Sequence, residues 1–267
     1  MAAALIALLA LAPSALADAF TPESGGSPQA EDIDTLYKII LYVGIVIFLI
    51  VEGTLIWSLV KYRARRHGPE PAQIRGNTPL EIGWTLGAAL ILVVLTVVTF
   101  IYLDDIKNPP ASDPGAVSVA SIDQPDPPGE EPTMKIRVNG QQFLWRYEYP
   151  GDEQLFSYYE MVVPTKTTVS LDITASDVIH SWWIPKFGGK MDAVPGHVNE
   201  TWFKIDKPGT YTGACTELCG NGHADMRAVV RALPPDEFED WAEQQRADIQ
   251  AAQEGLAEQR EEREAEE

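Results

Sequence analysis

An all-β domain of Greek-key or sandwich type, preceded by an N-terminal two-helix transmembrane hairpin, is the fold class that this sequence predicts. Two features carry the prediction. Apolar stretches at about 37–60 and 82–103 are each long enough for the roughly 20 residues of helix that span a bilayer. After residue 131 the pattern changes to short alternating runs punctuated by Pro and Gly.

The elements follow in chain order. Residues 1–17 read as a secretory leader, an Ala- and Leu-rich run ending Ala15-Leu16-Ala17, although its start lacks Lys or Arg. Residues 18–36 form an acidic segment ahead of the hairpin, which covers 37–104. The loop 61–81 carries Lys61, Arg63, Arg65, Arg66 and Arg75. Basic loops stay in the cytoplasm, so everything after Leu103 is expected outside. Residues 105–130 are rich in Pro, Asp, Ser and Gly, as a linker is.

Within 131–235, Ile136 and Val138 alternate with Lys135, Arg137 and Asn139, and Phe143, Trp145, Tyr147 and Tyr149 alternate with their neighbours. Further strands are expected at Met161–Val163, Thr168–Ile173, Thr201–Ile205 and Met226–Ala232. Asn139-Gly140 is compatible with either a hairpin turn or a strand interior. The tail, 236–267, has helical composition, with Phe238 and Trp241 as anchors. It holds thirteen acids against three bases, about half of the chain's net charge of −19. Such acidity argues against nucleic acid and favours a basic partner.

The chemistry is concentrated in Cys215-Thr-Glu-Leu-Cys219-Gly-Asn-Gly-His223-Ala-Asp-Met226, which contains both cysteines of the chain. Thiolates and imidazoles with a weak thioether are the ligands of electron-transfer copper. Two cysteines on one short loop can share a pair of metals. His223 supplies one imidazole, His180 in Asp177-Val-Ile-His180 is the best second, Met226 is a candidate axial ligand, and Glu217 can offer its carbonyl. A Cys215–Cys219 disulfide and a structural zinc site are the alternatives. His67 and His197 read as surface residues.

With its hairpin and loop, the chain resembles subunit II of haem-copper cytochrome c oxidase over roughly 37–235. The resemblance extends to Lys190-Met-Asp-Ala-Val-Pro-Gly196 and Pro79-Leu-Glu81-Ile-Gly-Trp84. It implies a cupredoxin-like domain holding dinuclear copper A, two copper ions bound by His180, Cys215, Cys219, His223, Met226 and the Glu217 carbonyl. It further implies that the Glu217 side chain binds a magnesium shared with subunit I. Electrons would come from a separate cytochrome c and pass to haem in subunit I, where oxygen is reduced and protons are pumped. The implied setting is a bacterial cell membrane, with subunit I and other oxidase subunits as partners and the copper domain outside.

The resemblance also puts Glu81 at the cytoplasmic mouth of a proton-uptake path, with helix N-capping as the plain alternative. Glu148 and Asp177 match acidic positions near the docking face. Two departures stand out: Phe143 replaces the family's tryptophan where electrons enter, and His197 follows Pro195-Gly196 where Arg is usual. No Cys-x-x-Cys-His haem attachment occurs, so the donor is expected to be a separate protein. Glu52 lies inside the first span, where a charged carboxylate costs about 2.5–3.5 kcal/mol. It is expected to face a partner helix of subunit I. Nitrous-oxide reductase shares the loop but not the hairpin, a quinol-oxidising relative lacks the ligands, and a tethered copper-binding module would stand without an oxidase.

Overall fold

The structure, a computed structural model, describes residues 21–63, 72–113, 134–149 and 155–266. The expected leader, Arg65, Arg66 and His67 of the basic loop, and most of the linker lie outside the described residues. The chain divides into two units, one of residues 35–104, the other of the residues up to Asp34 together with those from Asp105 onward.

The apolar stretches form the centres of two longer helices, α1 (Pro28–Lys61) and α2 (Thr78–Lys107). Their most apolar windows have mean hydropathies of 2.6 and 2.7 and bury nothing within the chain, so lipid or a partner must cover them. Thr54, Thr85 and Thr99 turn their hydroxyls onto carbonyls four residues back. That satisfies polar groups which hydrocarbon cannot. Asn77 caps α2: its Oδ1 accepts from the Leu80 N–H, while Glu81 Oε1 accepts from the Asn77 N–H at 3.1 Å.

Among the described residues the second unit carries ten strands: β1 (Met134–Gln141), β2 (Leu144–Glu148), β3 (Phe156–Tyr158), β4 (Glu160–Pro164), β5 (Thr168–Ala175), β6 (His180–Trp183), β7 (Met191–Ala193), β8 (Asn199–Lys204), β9 (Gly209–Cys215) and β10 (Arg227–Leu233). They form two five-stranded sheets, ordered β3-β2-β1-β5-β8 and β4-β10-β9-β6-β7. Two pairings are parallel, β1 with β5 and β4 with β10, which marks the crossed connections of a Greek-key sandwich.

Alternation decides what each sheet buries. Ile136, Val138, Trp145, Tyr147, Leu171 and Ile173 of one sheet, with Met161, Val163, Val230 and Ala232 of the other, form one apolar core. Tyr149 ties the sheets together, since its hydroxyl donates to the Val162 carbonyl and accepts from the Val162 N–H, each at 2.9 Å. Asn139 and Gly140 lie inside β1, paired with Arg146 and Trp145. The turn comes later, at Gln142-Phe143, so Phe143 is a turn residue and not the strand residue its alternation suggested. The tail is the helix α3 (Pro235–Glu266), held by buried Phe238, Ala242 and Ile249 and by Trp241 against Tyr149.

Candidate metal centre

Strands β9 and β10 are antiparallel neighbours, and the segment between them is the sulfur-bearing loop. The Cys215 N–H donates to the Met226 carbonyl at 2.9 Å, closing the loop at its base. Thr216 N–H donates to Ser181 O, fastening the loop to β6, which His180 opens. A 3-10 turn at His223–Asp225 then folds His223 back over the cysteines. Backbone pairing alone therefore brings residues from 180 to 226 to one end of the sandwich.

The donors there are close, and Cys215, Cys219, His180 and Met226 are buried. Cys215 Sγ and Cys219 Sγ are 3.9 Å apart, nearly twice the ~2.05 Å of a disulfide, and both thiols are free. Each sulfur has its own imidazole: His180 Nδ1 is 3.9 Å from Cys215 Sγ, and His223 Nδ1 is 3.6 Å from Cys219 Sγ. Each also has its own weak donor. The Glu217 carbonyl oxygen lies 3.2 Å from Cys215 Sγ, and Met226 Sδ lies 3.9 Å from Cys219 Sγ. His180 and Met226 are wholly buried. One ligand atom from each of His180, Cys215 and Cys219 falls within 4.8 Å of the others.

Soft sulfurs and imidazoles suit copper or zinc. Six donors exceed the four of one tetrahedral zinc, and they divide evenly between the two sulfurs. Burial, and then the neighbouring Cys215, push the Cys219 thiol up to about 11. Without a cation it therefore stays protonated at neutral pH, whereas a metal deprotonates a coordinated thiol outright.

Around these donors lies a layer of supporting contacts. His180 Nε2–H donates to Asp177 Oδ1 at 2.8 Å, which leaves Nδ1 as the free lone pair facing Cys215. Partial burial pushes the Asp177 carboxyl upward, but hydrogen bonds from His180 and from the Gln142 and Val178 N–H groups outweigh it. The carboxyl is held below the usual carboxylate range. Trp145 packs edge-on against the His180 ring at 5.8 Å. Phe143 lies across the loop, so that a Cβ on Gly222 would come within 2.5 Å of its ring.

The remaining site residues are more scattered. Asp177 sits beneath His180 as a bonded acceptor. Glu148 ends β2, at the opposite end of that strand from the Phe143 turn, in ion pairs with Arg146 and Arg137. Glu217 and His197 have exposed side chains, and His197 lies in the turn after Gly196. Glu81 lies in the other unit, in the first turn of α2, where its carboxylate accepts from the N–H of the capping Asn77. Sequence reasoning passed over Gln142, whose Nε2 donates to the Cys219 carbonyl at 2.6 Å. Its only local signal was a polar residue beside Phe143.

Two family models match the chain. A model described as cytochrome C oxidase subunit II, transmembrane domain, matches residues 16–101, and the periplasmic-domain model of the same subunit matches 154–233. "Probable cytochrome c oxidase subunit 2" of Rickettsia bellii is 34% identical over 235 residues, covering 80% of this chain and 80% of that one. The chain belongs to the cytochrome c oxidase subunit II family. "Cytochrome c oxidase subunit 2" of Alkalihalophilus pseudofirmus is 35% identical and covers 87% of this chain, which spans 64% of that relative's length. Among solved structures, the periplasmic domain of subunit II of cytochrome oxidase of Bradyrhizobium japonicum is 36% identical, with a TM-score of 0.42, covering 43% of this chain and 95% of that one. As a subunit II, the chain is a membrane protein with two long apolar helices ahead of a cupredoxin-like sandwich.

Proposed function

We propose that this subunit II accepts electrons from a separate cytochrome c, at dinuclear copper A, and delivers them to haem in subunit I of a bacterial oxidase. There oxygen is reduced to water and protons are pumped. The observation that carries the reading is the pair of buried thiols 3.9 Å apart, each with its own imidazole and its own weak donor. His180, Cys215, Cys219, His223 and Met226 would hold the two coppers through their side chains, and Glu217 through its carbonyl.

When bound, the copper pair supplies a one-electron acceptor and donor. The chain's own residues do the rest. Cys215 and Cys219 bring two negative charges into a buried site, Asp177 fixes the His180 tautomer, and Met226 closes the site to water from the core side. The exposed Glu217 carboxylate is proposed to bind magnesium shared with subunit I, since that hard cation needs only one or two protein carboxylates. Donor docking is proposed to centre on the Phe143 turn, which covers the loop and has Trp145 behind it. The basic residues between α1 and α2 support an extracytoplasmic sandwich. Glu81 is proposed at the mouth of a proton path in addition to its capping bond.

Replacing Cys219 by Ser in the assembled oxidase tests the reading. Cytochrome c oxidation should be lost while haem content in subunit I and assembly persist. Undiminished turnover would overturn it.

A further inference from the structure

We propose that Gln142 is a positioning residue for the metal centre: its side-chain amide holds the Cys219 carbonyl and so sets the loop in ligand geometry before metal binds. The inference rests on reading the loop as a metal site, and it assigns a role to a residue that contributes no ligand atom.

Gln142 occupies the turn between β1 and β2, on the opposite sheet from the loop. Its Nε2–H donates to Cys219 O at 2.6 Å, a contact between residues 77 positions apart. A backbone carbonyl can only accept, so the amide group facing it must be the NH2 end. The carbonyl belongs to a ligand-bearing residue in a loop without ladder partners, and this bond satisfies it. Gln142 is itself held: its backbone N–H donates to Asp177 Oδ2 at 2.7 Å, and the other oxygen of that carboxylate accepts from His180 Nε2 at 2.8 Å. One carboxylate and one carboxamide thus connect the upstream imidazole to the downstream sulfur through a single turn.

Gly220 supplies an independent sign that the loop is shaped around this amide. Its φ is +139°, in the range that favours glycine, and a Cβ there would lie 2.9 Å from Gln142 Nε2. Any side chain at 220 would push the amide off the Cys219 carbonyl. The neighbouring Phe143 ring fills the space over Gly220 and Gly222, so the turn delivers one polar and one apolar contact to the same loop.

The test uses the full-length chain in detergent, titrated with copper against a competing chelator, together with amide hydrogen exchange of the metal-free chain. Gln142→Met keeps the length and removes the donor. It should weaken copper binding about 10- to 100-fold, as loss of an outer-shell partner does. It should also speed exchange between Cys219 and Met226 while leaving β1, β5 and β10 unchanged. Gln142→Lys, which restores an N–H donor of similar reach, should recover most of both. Copper affinity and exchange within twofold of the parent chain in Gln142→Met would overturn the proposal, as would a Lys variant no better than Met. Failure of the parent chain to bind copper would instead defeat the metal-site reading itself.

Discussion

Replacing Gly140 by Ala should displace the imidazole of His180, a proposed metal ligand, without substituting any proposed ligand residue. Gly140 lies in β1 with its α-carbon against the His180 ring. An added Cβ would stand 2.9 Å from His180 Cδ2, 3.1 Å from its Cγ and 3.1 Å from Trp145 Cζ3. Ordinary carbon contacts begin near 3.5 Å, so one ring must retreat by about 0.5 Å. Neither has room, because His180 and Trp145 are both fully buried and packed on one another. Overpacking of this kind costs about 1–3 kcal/mol. For a domain of this size that lowers the melting temperature by roughly 3–12 °C. The imidazole carries the same displacement, so copper affinity should fall about tenfold or more. Thermal unfolding of the metal-free full-length chain measures the first effect and copper competition the second. A Gly140→Ala chain that melts and binds copper like its parent would refute the packing argument, because it would show slack where the contacts allow none.

Met226→Leu should keep both metal ions bound while shifting the redox potential and slowing transfer, since a weak axial donor tunes a site more than it holds one; loss of copper would contradict this. In the metal-free chain, Cys219 at about 11, against an ordinary value of 9.0, has roughly one hundredth of the usual thiolate at neutral pH. Its alkylation by iodoacetamide should therefore be slow and should climb until the pH passes 11; a plateau reached near pH 9 would contradict the raised value. Glu52 is half-buried in α1, and its side chain makes no hydrogen bond among the described residues. Glu52→Leu should lower the yield of haem subunit that co-purifies with the chain, and unchanged assembly and turnover would refute a role at a helix interface.

The parts of the fold that were legible in the sequence are those whose burial is periodic. Strands β1, β5 and β10 bury alternate residues over seven or eight positions, and their runs stood out. By contrast β6, His180–Trp183, buries three of its four residues and so shows no alternation, while β9 holds two glycines and is mostly half-exposed or exposed. Strands β3 and β7 are too short, at three residues each, to show any period. Phe143 continued the alternation of Trp145, Tyr147 and Tyr149, yet a tight turn needed that position. Pattern alone cannot say where a strand yields to its hairpin.

The site divides along the same physical line. Its sulfur loop was legible because Cys215, Cys219, His223 and Met226 are near in sequence, and nearness in sequence forces nearness in space. His180, 35 residues from Cys215, could be chosen only because few histidines remained. The supporting contacts were not legible. The Gln142 bond to Cys219 spans 77 residues, and Asp177 looked like a surface acid until its oxygens were found on His180 and Gln142. Such roles depend on the pairing of β1 with β5 and of β6 with β9, which no local motif encodes.

Electron paramagnetic resonance of the copper-loaded full-length chain, with its copper content determined on the same sample, tests the central claim most directly. The account predicts two copper ions per chain and one unpaired electron coupled equally to both nuclei, a signal abolished by Cys219→Ser. A single copper with an isolated-ion spectrum, or a chain that takes up one zinc in preference, would contradict it.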